Sequence, residues 1–411
     1  MWFFNSPQVV FGEGALSYLA QIHGTRAYII TDAQIVKFGF VDLVKEQLAQ
    51  ANIEMRVFAE VEPEPSLDTV RRGAALAREY EPDWIVGLGG GSPMDAAKAI
   101  WALYERPDLQ PDGISPLEYL GLGKKAHLIT IATTSGTGAE VSWATILSDP
   151  VENRKLGLGS RETLATIAIV DPIFAMKMPP RLTADTGLDA LTHAIEGYTS
   201  SWHNDFSDGM CLKAVDLVFK FLPKAYANGN DAEVREKMHN AAAIAGLGFI
   251  NSLSALAHAM GHSFGGAFHV PHGRAVSLFL PYTMEFAANG GNHRYADIAR
   301  FIGLDAAVEA GPRLAPQSPA AQYGAIANVP PTPESLTRAL ITTVRELETG
   351  LQSNTNAASL GIARGDFTRA LPTLLDHAEN DTSITANSRV PERGELEKIF
   401  WYAYDGKPID F

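Results

Sequence analysis

WIVGLGGGSPMDAAK, residues 84–98, decides the fold. An apolar run meets four glycines, Gly87, Gly89, Gly90 and Gly91, and gives way at once to helical spacing. Ser92 reads as the helix N-cap, Pro93 as the first helical residue, and Asp95 as the acid three positions on, as in a capping box. Strand, glycine turn and capped helix in that order aim a helix N-terminus past the open end of a sheet. Glycines there let a diphosphate approach the backbone, while free N–H groups and the helix dipole hold its charge. A tight turn with no ligand is the competing reading. The pattern departs from G-x-G-x-x-G, because Ser92 stands where the last glycine would be.

Outward from that turn the same alternation repeats. AYIIT (27–31), MRVFA (55–59), DWIVGL (83–88), HLITIAT (127–133) and IAIV (167–170) read as buried strands. FVDLVKEQLAQ, SLDTVRRGAALAREY and SPMDAAKAIWALYE between them read as amphipathic helices. The N-terminal part is therefore an α/β domain, a parallel sheet with helices on both faces. Past PPRLTADTG (179–187) strand signals fade and helix follows helix, so the remainder is expected to be all-helical. The expected boundaries are 1–180 and 181–411. Residues 306–333, rich in Ala and Pro, read as an irregular insertion between helices.

Composition excludes several classes. A formal charge of −14 opposes nucleic-acid binding and an anionic membrane surface. No apolar run is long enough to span a bilayer, and MWFFNSPQVVFGEGAL lacks the basic start of a signal peptide. Cys211 stands alone, which rules out an internal disulfide and suits a reducing cytoplasm.

Two further loops end strands. Asp32 closes AYIITDA, where an acid can bind ribose hydroxyls and repel a 2′-phosphate, though an ordinary turn aspartate reads equally well. ATTSGTGAEVS (132–142) places Thr133, Thr134, Ser135 and Thr137 around Gly136 and Gly138, hydroxyls suited to phosphate or ribose. In the helical part, Asp189 and His193 lie at i and i+4 in LDALTHAIEG. HAMGHSFGGAFHVPHG (258–273) then carries four of the eleven histidines, with His258 and His262 at i and i+4. Such groups on otherwise apolar helices cost several kcal/mol unless something binds them, so a divalent cation is the simplest reading. A carboxylate with imidazoles suits Zn or Fe(II) better than Mg or Ca. Spacing alone leaves open which of His258, His262, His269 and His272 are ligands.

GGGSPMDAAK, TTSGTGAE, PPRLTADTGLDALTHAIEGYTS and HAMGHSFGGAFHVPHG together resemble the iron-containing (group III) alcohol dehydrogenase family over nearly the whole chain. That resemblance implies a dinucleotide-binding α/β domain, a helical domain and one metal in the cleft between them. It implies Asp189, His193, His258 and His272 as metal ligands, with Fe(II) first and Zn second. It puts His262 beside the nicotinamide and substrate as the catalytic residue, and leaves His269 structural. Gly89, Gly90, Gly91, Ser92, Asp95, Thr133, Thr134, Thr137 and Lys155 fall on cofactor positions, and Asp32 on the acid selecting NAD. The implied activity is reversible oxidation of a primary alcohol, a small molecule, to an aldehyde with NAD(H); a cytoplasmic location is expected from the lone cysteine, and a homodimer or larger homo-oligomer from the general tendency of such chains. Where the family often has Asn-Pro-Thr this chain has Glu64-Pro65-Ser66, and DTSITANSR (381–389) replaces a segment with cysteine and Asn-Pro-Arg. The alternatives are a glycerol or diol dehydrogenase of the same fold, a dehydroquinate-synthase-like lyase, and a silent scaffold. The lyase needs basic residues around its metal, yet Arg274 is the only Lys or Arg in 258–274.

Overall fold

The computed structural model describes residues 3–150, 154–305 and 330–411; most of the 306–333 insertion lies outside them. Eight strands are β1 (Gln8–Phe11), β2 (Arg26–Ile30), β3 (Glu54–Phe58), β4 (Trp84–Gly89), β5 (His127–Ala132), β6 (Ala144–Asp149), β7 (Arg154–Gly159) and β8 (Ile167–Val170). Six form one sheet in the order β1-β8-β5-β4-β2-β3, every pairing parallel. Helices α1 (Ala33–Lys37), α2 (Phe40–Gln50), α3 (Leu67–Tyr80) and α4 (Gly91–Glu105) make the crossovers. Side chains alternate between faces: Ala27, Ile29, Val86 and Leu88 join one core, and Tyr28, Ile30 and Ile85 the other. A sheet buried on both sides is what near-continuous apolar strands demand.

Two features differ from the sequence reading. MRVFA is the sheet edge, with Glu54, Arg56 and Val57 exposed and Phe58 alone buried, so its β-branched and aromatic content marks an edge strand, not a central one. Strands β6 and β7 form an antiparallel hairpin that no periodicity in ATILSD or RKLGLG announced; it packs over α4.

The remaining described residues are mainly helical: α5 (Pro180–Thr199), α6 (Asp205–Ala227), α7 (Ala232–Ile250), α8 (Leu256–Phe268), α9 (His272–Asn289), α10 (Arg294–Phe301), α11 (Pro333–Gly350), α12 (Arg364–Glu379) and α13 (Arg393–Asp405). Together they close a third core around α5, which is buried along most of its length. No described helix is long and apolar enough to cross a membrane. The two parts meet at bare backbone. A Cβ on Gly136 would lie 2.6 Å from Thr186, and one on Gly138 (φ +60°) would lie 2.6 Å from the Gly246 Cα. The hydroxyl-rich loop after β5 therefore sits directly on α5 and α7.

Candidate active site

Four side chains from three helices converge below that loop. Asp189 and His193 project from α5, one turn apart, and His258 comes from the first turn of α8. Pro271 stops the preceding chain and starts α9, so His272 is its first residue. Gly273 lets α9 approach, since a Cβ there would sit 2.3 Å from the Asp185 carbonyl oxygen. Arg274 then donates two hydrogen bonds to Asp185, at 3.1 and 2.7 Å, pinning α9 to α5 one turn before Asp189.

The Asp189 Oδ1 atom lies 3.9 Å from His193 Nδ1, 4.0 Å from His258 Nε2 and 3.5 Å from His272 Nε2. One ligand atom from each of the four lies within 4.8 Å of all the others. Asp189 Oδ1, His193 Nδ1 and His258 Nε2 are buried with no hydrogen-bond partner. Leaving a buried polar atom unpartnered costs about 1–3 kcal/mol, so three aimed at one point fit a shared divalent cation. Burial pushes the Asp189 carboxyl up to about 7. Burial, and then the His258, His272 and His262 rings, hold His193 well below the usual imidazole range. The ring of His193 is also stacked on Phe249 at 4.1 Å.

Two carboxylates missed in the sequence hold the histidines in place. Glu196 Oε2 accepts from His258 Nδ1 (2.5 Å) and Ala255 N (2.9 Å), and Oε1 accepts from Ala257 N (2.6 Å). It thereby caps α8 and fixes the His258 proton on Nδ1, leaving Nε2 with a lone pair toward the cluster. Its signal was available, since Glu196 follows Asp189 by seven residues on the same face of α5. Asp381, in the divergent DTSITANSR segment, accepts from His262 Nδ1 at 2.7 Å. Although Asp381 is largely buried, that bond, attraction to the His262 ring whenever it carries a proton, and hydrogen bonds from Ser383 bring its carboxyl down to about 2. Nothing local in the sequence pairs residues 262 and 381.

His262 offers no atom to the four-residue group, but its ring stacks on His272 at 5.2 Å and lies 5.7 Å from His258. His269 is exposed and ends α8 in a left-handed conformation (φ 54°), away from the cluster.

The glycine turn differs in detail from its sequence reading. Gly90 is the N-cap of α4, with no side-chain cap, so Ser92 lies inside the first turn. Asp95 is no capping-box acid. It is buried, its Oδ1 bonded to Lys98 Nζ (3.2 Å) and its Oδ2 to Ile146 N (3.1 Å), tying α4 to β6. The glycines divide by role. A Cβ on Gly87 would lie 2.9 Å from Ala97, and one on Gly89 (φ +154°) 2.5 Å from Pro93, so both allow α4 to pack on the sheet. Gly90 and Gly91 face Thr134 and Thr137 at ordinary contact distance. Thr133 is buried, its N–H bonded to the Gly89 carbonyl at 2.9 Å, so the β4 and β5 loops form one wall. Asp32 caps α1, its Oδ1 accepting from Gln34 N and Ile35 N. Lys155 projects from β7 and pairs with Glu64, its Nζ 2.6 Å from Oε1. A hydrogen bond between the His193 ring and the Gly136 backbone joins this wall to the cluster.

The loop ends of a parallel sheet standing against a buried carboxylate–imidazole cluster define a two-part protein with a candidate metal centre. Residues 6–172 match the family described as iron-containing alcohol dehydrogenase, and residues 183–404 its Fe-containing C-terminal counterpart. The chain belongs to the iron-containing alcohol dehydrogenase family. It is 37% identical over 411 residues to the NADPH-dependent butanol dehydrogenase of Clostridium saccharobutylicum, covering 99% of each chain. Its structure is similar to that of a 1,3-propanediol oxidoreductase (TM-score 0.85, 30% identity, 98% of this chain and 100% of that one). It is equally close to the iron-containing alcohol dehydrogenase of Thermococcus thioreducens (TM-score 0.84, 29% identity, 99% and 100%).

Proposed function

We propose that this protein interconverts primary alcohols and aldehydes by hydride transfer, with NAD(H) and one divalent cation, Fe(II) ahead of Zn. Asp189, His193, His258 and His272 would hold the cation; the observation that carries the reading is their three buried, unpartnered atoms converging on one point. When bound, the cation supplies Lewis acidity toward the substrate oxygen, and the dinucleotide takes or gives the hydride. The chain's own residues do the rest. Gly90, Gly91, Ser92, Thr134 and Thr137 line the place for the diphosphate at the start of α4. Gly89 and Thr133 hold that wall together, Lys155 serves from the hairpin, and Asp95 acts from beneath by anchoring it. Asp32 spends Oδ1 on its helix cap, and Oδ2 remains for ribose hydroxyls and against a 2′-phosphate, which favours NAD. In this respect the chain would differ from its butanol dehydrogenase relative, which is named for NADPH.

His262 is the proton carrier in this reading. With Nδ1 donating to the ionised Asp381, its Nε2 carries the lone pair that takes the hydroxyl proton and passes it to solvent. Residues 1–180 would form the dinucleotide domain and 181–411 the catalytic domain, in a cytoplasmic homodimer or larger assembly. Metal analysis of anaerobically purified protein, followed by an NADH-monitored panel of alcohols and aldehydes, tests the reading. Asp189→Ala and His272→Ala are expected to lose the metal; full retention in both refutes the ligand set.

A further inference from the structure

Glu64 is held between the first turn of α4 and the β6–β7 hairpin. Its backbone adopts the left-handed conformation (φ 58°), uncommon for a residue with a side chain. Two hydroxyls hold it there. The Glu64 N–H donates to Ser92 Oγ at 3.2 Å, and the Glu64 carbonyl accepts from Ser148 Oγ at 2.7 Å. The next carbonyl, of Pro65, accepts from Ser148 N at 2.9 Å. So pinned between the first turn of α4 and strand β6, the side chain crosses to β7 and meets Lys155 at 2.6 Å. Lys155 is the one lysine assigned to the cofactor above.

We infer that Glu64 is a cofactor-affinity determinant: its carboxylate is an internal competitor that occupies Lys155 in place of a dinucleotide phosphate. This rests on the dinucleotide reading above. A lysine already paired with a carboxylate at 2.6 Å is not free for a phosphate, so bound dinucleotide and the Glu64–Lys155 pair compete. Lys155 and Glu64 are 26% and 56% exposed, so their pairing is weak enough to break and strong enough to register. Removing the carboxylate frees the lysine and lifts repulsion on the incoming phosphates, giving about two- to fivefold tighter binding, more at low ionic strength.

The test is a titration of the purified protein with NADH, followed by its fluorescence, on wild type, Glu64→Gln, Glu64→Asn, Lys155→Met and the Glu64→Gln/Lys155→Met double variant. Asparagine tolerates the left-handed backbone and guards against a change in loop conformation. Both Glu64 variants are expected to lower the NADH Kd, Lys155→Met to raise it, and the Glu64→Gln gain to shrink by more than half once Lys155 is gone. An unchanged Kd in both Glu64 variants overturns the inference, as does an undiminished gain in the double variant, while wild-type binding leaves the dinucleotide reading standing. Failure of wild type to bind NADH overturns that reading and this inference with it.

Discussion

Glu196→Gln changes one atom and tests how the cluster is assembled. In the native protein three donors point at the Glu196 carboxylate: His258 Nδ1, Ala255 N and Ala257 N. An amide has one acceptor oxygen, so glutamine must choose. With its oxygen toward His258 and Ala255, its NH2 meets the Ala257 N–H, donor against donor, at about 1–3 kcal/mol of stability. With the amide reversed, Ala255 loses its acceptor and His258 can satisfy the amide only by moving its proton from Nδ1 to Nε2. That proton would then sit on the atom facing Asp189, 4.0 Å away, and remove a ligand. Either arrangement also deletes the negative charge that makes the imidazole more basic, a change worth about 10- to 100-fold in metal affinity. Competition of the metal-depleted protein with a chromophoric zinc chelator, beside a melting curve, measures both. Zinc affinity and melting temperature both equal to wild type would refute the argument that Glu196 sets the His258 tautomer.

His262→Ala is expected to lower turnover on the order of 10²-fold while the bound metal is retained, and Asp381→Asn to lower it in the same direction; turnover at the wild-type rate in His262→Ala removes it from the chemistry. Glu140 is buried in the loop after β5, and burial raises its carboxyl to about 7 against an ordinary 4.5. Below 4.5 both folded and unfolded chains hold the proton; as pH rises to 7 the unfolded chain releases it first, so the native state loses stability, by at most about 3 kcal/mol. Melting curves should therefore show Glu140→Gln gaining on wild type between pH 4.5 and 8, and a pH-independent difference would contradict this.

The parts of this site legible from sequence are those in which spacing alone places side chains. Asp189 and His193 share a helix face by periodicity, and the strands of the sheet declare themselves by apolar runs too short for helices. Harder to read were groups whose meaning depends on another segment. Glu196 lies on that same face but looks like any helical glutamate until Ala255 and Ala257 present bare N–H groups to it. Asp381 is 119 residues from His262 and becomes its partner only when the loop after α12 folds over α8. The serine cap failed for a subtler reason: the chain enters α4 two residues earlier than a Ser92 cap allows, with Gly89 and Pro93 too close for a side chain at 89. Asp95, left inside the helix, found a buried lysine instead.

The two parts approach each other through glycines, and Gly246→Ala tests what that closeness does. A Cβ at 246 would lie 2.6 Å from Val141 Cγ2, 2.9 Å from the Gly138 Cα and 3.0 Å from the Gly138 carbonyl oxygen. Val141 can turn aside, but Gly138 is backbone in a left-handed conformation, so the loop as a whole must move outward, by about half an ångström if ordinary contact is to be restored. Alanine gains about 1 kcal/mol of helix propensity over glycine, against about 1–3 kcal/mol for overpacking, so the expected net change in stability is small and unfavourable. Function should suffer more, because the moved loop carries Thr134, Thr137 and the Gly136 contact with His193. Since 1 Å of misplacement can cost about 10²-fold, a fall of roughly tenfold in kcat/KM with metal content unchanged is expected. Gly209→Ala in α6, where a Cβ meets nothing within 4 Å, is the control and should raise the melting temperature without touching kcat/KM. Equal kcat/KM in Gly246→Ala and wild type would mean that the loop tolerates displacement, and that the wall above the carboxylate–imidazole cluster is positioned by something other than its contact with α7.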